Sequence, residues 1–242
     1  MNIIIVKNYQ ELSKKAADIF MNQLIKKPES VFGLATGSTP LGLYKEIILR
    51  CKARKCDLSQ VITFNLDEYY GLSSDHPQSY HYFMQENLFK HIDIKPENIY
   101  IPDGMTDDVQ KHCRWYEEQV RAHPIDLQIL GIGANGHIGF NEPGSAEDSV
   151  TRLVDLSEQT ISDNSIYFSS KEEVPKQAIT MGIKTIMSAK KIILLASGDN
   201  KAKAVKCALE ESPSANCPAS WLQKHNNIDV IVDEDAGGLL KN

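Results

Sequence analysis

A chain of 242 residues, 42% of them apolar, can fill the core of one large α/β domain and leaves little room for a second. Its net charge of −6, with lysines scattered rather than striped between aromatics, argues against a nucleic-acid surface and for a small-molecule partner. No apolar stretch reaches membrane-spanning length, and the opening Met1-Asn2-Ile3-Ile4-Ile5-Val6-Lys7 lacks the marks of a signal peptide, so a cytoplasmic protein with no membrane partner is expected.

In chain order, residues 3–6 read as a first strand and residues 9–25 as the helix behind it. The next apolar run, 31–35, is followed by Thr36-Gly37-Ser38-Thr39-Pro40 and a helical pattern over 41–49. Here Gly37 lets the chain bend, Thr39 suits an N-cap and Pro40 the first helical position, so free N–H groups and a helix dipole would face an oxyanion or phosphate. An ordinary capped turn would look the same. A third run, 61–64, leads into Asn65-Leu66-Asp67-Glu68-Tyr69-Tyr70, where Asp67 and Glu68 close the strand with side chains on opposite sides. One of them can enter a site above the sheet as a general base.

Helical patterns over 80–89 and 107–120 precede the run 127–130, which opens into Gly131-Ile132-Gly133-Ala134-Asn135-Gly136-His137-Ile138-Gly139-Phe140-Asn141-Glu142-Pro143-Gly144. The segment contains G-x-G-x-x-G, and Asp155 falls where a dinucleotide fingerprint asks for an acid. However, two glycines and a proline stand where the required helix should run, which disfavours a nucleotide. His137 and Glu142 on this loop suit acid–base chemistry, with the carboxylate orienting the ring and stabilising its protonated form. Residues 145–173 are polar apart from a short alternation over 150–156, as expected of a lid or of a plain surface excursion. The run 192–196 is followed by Ser197-Gly198-Asp199-Asn200-Lys201 and a helix over 201–209, and a last run spans 230–232. A lysine in a first helical turn is opposed by the macrodipole, a cost that a bound phosphate at Lys201 would reverse.

Continuous apolar strands alternating with amphipathic helices predict one α/β domain over 1–242, with a mostly parallel, doubly wound, Rossmann-like sheet and a lid-like insertion at 145–173. Ligands of such sheets bind beyond the carboxyl ends of the strands, where these loops gather. Nucleophilic catalysis has no support, because there is no G-x-S-x-G elbow and no cysteine in a glycine-rich strand-end turn. The five cysteines form no C-x-x-C pair, Cys51 and Cys56 lack further ligands at partner spacing, and the histidines show no H-x-x-x-H, so no metal site is expected.

Taken together, residues 35–40, 64–72, 76–80, 131–144 and 197–201 make the chain resemble the glucosamine-6-phosphate deaminase family over essentially its whole length. The resemblance implies conversion of an amino-sugar phosphate to fructose 6-phosphate and ammonia without metal or organic cofactor. It implies Asp67 as the base that moves a proton between C2 and C1, and His137, held by Glu142, as the group that assists ring opening. Thr36, Gly37, Ser38, Thr39 and Lys201 would bind the phosphate. Asn135 stands where many members have an aspartate, and a neutral amide stabilises imidazolium less. Ile166 stands where a phosphate-binding arginine is usual, which leaves Arg152 or another group to substitute, or Lys201 and the backbone loop to carry the affinity. The chain ends soon after Asp235, without the longer tail of hexameric, allosterically activated members, so a monomer or small homo-oligomer without activation by N-acetylglucosamine 6-phosphate is expected. Two rivals share the scaffold. 6-Phosphogluconolactonases differ after the histidine and at Tyr69, and phosphosugar sensors of transcription regulators carry a helix-turn-helix before the first strand.

Overall fold

In the computed structural model, which describes residues 1–241, seven strands form one parallel sheet: β1 (Asn2–Val6), β2 (Val31–Leu34), β3 (Ile62–Asn65), β5 (Ile99–Tyr100), β6 (Leu127–Gly131), β9 (Ile192–Ala196) and β10 (Ile228–Asp233). Their order is β1-β10-β9-β6-β2-β3-β5. Strand alternation divides the core. Ile192, Leu194 and Ala196 face one layer while Ile193 and Leu195 face the other. Helices α1 (Tyr9–Lys26), α2 (Leu41–Arg54) and α3 (Tyr80–Asn87) cover the second face through Leu12, Phe20, Leu43, Tyr44 and Met84. Helices α4 (Val109–Ala122), α6 (Ile183–Met187), α7 (Ala202–Glu210) and α8 (Glu234–Gly237) cover the first through Tyr116, Val120, Ile183, Val205 and Ala236. The doubly wound, single-domain α/β fold expected from the apolar runs is the one found.

The chain leaving β2 moves outward to β3, whereas beyond β6 the next strand of the sheet is β9 on the opposite side. Between β2 and β6, which are adjacent, the winding therefore reverses, and a crevice opens beyond their carboxyl ends.

A second sheet lies beyond that edge. Strands β4 (Asp67–Tyr69), β8 (Gln177–Thr180) and β7 (Arg152–Asp155) pair antiparallel in the order β4-β8-β7. This corrects the sequence reading, which placed Asp67 at the end of the third strand. After Asn65 the chain changes sheets at Leu66, whose N–H donates to the Leu34 carbonyl at 3.2 Å and whose carbonyl accepts from Met181 N–H at 2.7 Å. Asp67 and Glu68 thereby gain a partner strand that holds them in place. The region 145–173 contains β7 and helix α5 (Glu158–Asn164), packed over a small core of Tyr69, Phe140, Leu156, Ile161, Val174 and Ala178.

Candidate active site

One cavity of about 220 Å³ sits over the crevice, and Thr36, Gly37, Ser38, Thr39, Asp67, His137 and Lys201 all line it. One part of its wall is the turn after β2. Gly37 takes φ +89°, a conformation that favours glycine. The hydroxyl of Tyr9 lies 3.0 Å from the carbonyls of both Ser38 and Thr39 and accepts from Gly42 N–H at 2.7 Å, tying the turn to α1. The expected cap is displaced by one residue. Leu41, not Pro40, begins α2, and Pro40 occupies the cap position without a side-chain bond, so Thr39 caps nothing.

Lys201 enters from beyond the carboxyl end of β9, at the close of a short 3₁₀ turn directly before α7. The turn is fixed from below by the buried Asp233, which accepts from Gly198 N–H at 3.0 Å, from Ala236 N–H at 2.9 Å and from the Ser197 hydroxyl. Among the described residues no carboxylate lies within ion-pair distance of Lys201. Burial lowers the pKa of its ammonium and the charge of Asp163 partly offsets this. A cation half withdrawn from water with no partner is suited to an anionic ligand.

Asp67, in the same cavity wall, is 5% exposed. Burial, reinforced by the negative charge of Glu68, pushes its carboxyl up to about 8 against a hydrogen bond from the Thr180 hydroxyl. Glu68 points the other way, as alternation requires. It accepts from Tyr80 N–H and His81 N–H, each at 2.9 Å, and so caps α3 and fixes Tyr80 beside the cavity.

The glycine-rich segment does not cradle a pyrophosphate. Its glycines make room for side chains. A Cβ on Gly133 would lie 2.3 to 2.4 Å from three atoms of the His137 ring, and one on Gly139 would lie 3.2 Å from a carboxylate oxygen of Asp67. No helix follows, and Asp155 is engaged at the end of β7 by Gln177 at 2.9 Å. His137 Nδ1 lies 3.6 Å from Glu142 Oε2, at ion-pair but not hydrogen-bond distance. Asn135 joins the two: its amide donates to the same Glu142 oxygen at 2.7 Å, and its carbonyl accepts from the His137 N–H at 3.1 Å. The other Glu142 oxygen accepts from Ser157 at 3.2 Å and from the Thr160 hydroxyl, both belonging to the α5 region. Burial raises the Glu142 pKa, but His137, Thr160 and Asn135 together outweigh it and hold the carboxyl at about 2.

Arg152 is a correction. It lies on β7, two strands from Asp67, and its guanidinium donates to Asn141 Oδ1 at 2.9 Å, Ser145 Oγ at 3.3 Å and the Val150 carbonyl at 3.4 Å. It lines a different, larger groove of about 1200 Å³ beside α4 and not the cavity that holds Asp67 and His137. That groove is wider but holds neither Asp67 nor His137, so size does not identify the site. Ile166 is 77% exposed and brings no charge to the cavity. Sequence reasoning missed Tyr80, Thr160, Asp163, Asn164 and Tyr167 in the cavity wall. Four of these come from the aperiodic region, where no sequence signal distinguished them. Among the described residues no group of three metal-ligating side chains stands together, and no helix is long and apolar enough to cross a membrane.

Comparison with known proteins agrees with this geometry. The model of the family described as glucosamine-6-phosphate isomerases/6-phosphogluconolactonase matches residues 7–231. Glucosamine-6-phosphate deaminases of a Thermoanaerobacter species and of Clostridium botulinum (strain Langeland) are 55% and 56% identical, over 99% and 100% of this chain and 95% and 99% of theirs. A solved structure described as a monomeric glucosamine-6-phosphate deaminase superposes with a TM-score of 0.97 at 47% identity, covering 99% of this chain and 100% of that one. The 6-phosphogluconolactonase of Leishmania guyanensis, with a TM-score of 0.80 at 22% identity, shares the fold. A cavity that brings an anion-ready lysine and turn together with acid–base residues, on a chain so similar throughout, identifies this protein as a member of the glucosamine-6-phosphate isomerase/6-phosphogluconolactonase family.

Proposed function

We propose that this protein is a glucosamine-6-phosphate deaminase, converting glucosamine 6-phosphate and water to fructose 6-phosphate and ammonium. The observation that carries the reading is one cavity whose wall holds Lys201, the Thr36–Thr39 turn, Asp67 and His137 together. The phosphate binds at Lys201 and the turn, which leaves the sugar's C1 and C2 to Asp67 and His137 in the same cavity. Lys201 supplies the charge and the turn supplies backbone and hydroxyl donors.

His137 assists ring opening by exchanging a proton with the sugar oxygen, and Glu142 stabilises the protonated ring across 3.6 Å. Asn135 keeps that carboxylate and the His137 backbone in register. Asp67 then takes the C2 proton and delivers it to C1 while a proton passes from the C2 ammonium to the C1 oxygen, giving a ketimine that water hydrolyses to the ketose and ammonia. A base must be ionised, yet burial and the Glu68 charge hold Asp67 up at about 8. The substrate's own C2 ammonium supplies the missing counter-charge, so binding lowers the Asp67 pKa and switches the base on where it is needed. Hydrolysis by this route asks for no metal. The monomeric state of the similar solved structure and the five free cysteines fit a monomer in the cytoplasm.

Ammonium release from glucosamine 6-phosphate tests the reading. Release that Asp67→Asn reduces by at least about 10²-fold is expected, the lower range for loss of a general base. Binding of the phosphosugar without release by folded protein would instead make the chain a sensor. Hydrolysis of 6-phosphogluconolactone without deamination would make it a lactonase.

A further inference from the structure

The phosphate end of the cavity is not electrostatically simple. Among the described residues Lys201 is the one Lys or Arg in its wall, since Ile166 faces solvent and Arg152 lines another groove. On the roof, α5 sets Asp163 into the wall of the same cavity. Its carboxylate is steadied by the Gln159 amide at 2.7 Å, one helical turn before it, and it makes no ion pair among the described residues. The roof is anchored independently, through Ser157 and Thr160 on Glu142 and through Ile161 in the small core below. Asp163 is therefore not needed to hold α5 down.

We infer that Asp163, which shares the cavity wall with Lys201 without pairing with it, is a specificity-determining residue whose charge opposes the second negative charge of a phosphate monoester. This deepens the proposed function and rests on its placing of the phosphate at Lys201. The influence of Asp163 on the Lys201 ammonium agrees with it. A phosphate dianion that binds here must offset the Asp163 carboxylate, whereas a singly charged or neutral group would feel less of it. Asp163 consequently weakens phosphate binding and narrows the difference between phosphorylated and unphosphorylated sugars. It is exposed, so the effect is that of a screened pair.

The test is titration of the whole protein and of Asp163→Asn with inorganic phosphate by calorimetry, at low and at about 1 M salt, where the Debye length falls to about 3 Å. Asparagine keeps the acceptor for Gln159 and removes only the charge. Phosphate is expected to bind Asp163→Asn about two- to five-fold more tightly at low salt, the range of exposed charge pairs, with the difference lost at high salt. Asp163→Glu should bind as the parent does. Equal or weaker binding by Asp163→Asn at low salt, or a gain that persists at high salt, would overturn the inference. Because phosphate binding is read directly, absence of ammonium release would count against the proposed function alone.

Discussion

Asn135 shows how little a residue's name fixes its role until its partners are known. The sequence presents it as a weaker stand-in for a carboxylate beside His137, but in the fold its amide is a donor, 2.7 Å from Glu142 Oε2. Aspartate at that position would set two carboxylate oxygens face to face, and such a pair cannot ionise without raising one of the two pKa values. Glu142, held at about 2 in this protein, would lose a donor and gain a like charge. For Asn135→Asp we therefore expect the acidic limb of kcat/KM to move to higher pH. A limb that coincides with that of the parent would show the amide to be dispensable for the ring-opening pair. Asp67, His137, Glu142 and Lys201 were legible because each follows an apolar run or sits among glycines. Asp163 and Thr160 were not, because only the burial of α5 against Phe140 and Tyr69 turns them toward the cavity.

Among elements, the central strands could be read directly because burial on both faces makes them continuous apolar runs. β4 and β8 were hidden for the opposite reason. They are three and four residues long, they pair across 110 residues of sequence, and their core draws on Tyr69, Phe140, Leu156, Ile161, Val174 and Ala178, which no sequence window contains together. The same non-local logic connects β10 to the phosphate end. Asp233 closes β10, caps α8 and holds the Ser197-Gly198 turn, in which Gly198 takes φ +92° before the chain reaches Lys201. Asp233 touches no part of the cavity and is a positioning residue. Asp233→Ala removes the acceptors of Ser197 and Gly198, and at about 1 to 1.5 kcal/mol for a lost hydrogen bond should raise KM about five- to ten-fold while kcat falls less. Asp233→Asn keeps one oxygen for Gly198 and should recover most of the affinity. If KM stays put in Asp233→Ala while thermal stability falls, the residue serves only the packing of α8.

For the molecule as a whole, the site is built against stability, and Asp67 gives the clearest measure of it. In the unfolded chain its carboxyl ionises near 3.8, and in the fold it holds its proton to about 8. The folded state thus binds the proton more tightly than the unfolded one, so the contribution of Asp67 to stability is fully present below about pH 4 and is lost as pH rises to about 8. Asp126 has the opposite sign. Burial raises it, but Lys190 at 2.8 Å and Lys27 at 2.7 Å, with the Val31 N–H, hold it below the usual carboxylate range, and its contribution is lost as pH falls. The two windows separate Asp67 from the rest of the charge. Asp67→Asn should melt close to the parent near pH 4 and above it at pH 8 to 9, the gain amounting to a few kcal/mol in order of magnitude. Melting curves of both proteins across that range decide the matter, and a pH-independent offset would mean that asparagine repacks the site instead of removing a buried charge. A gain confined to alkaline pH would show that the fold forgoes stability to keep a carboxylate without a cation at the start of β4, where the substrate's ammonium is to be its partner.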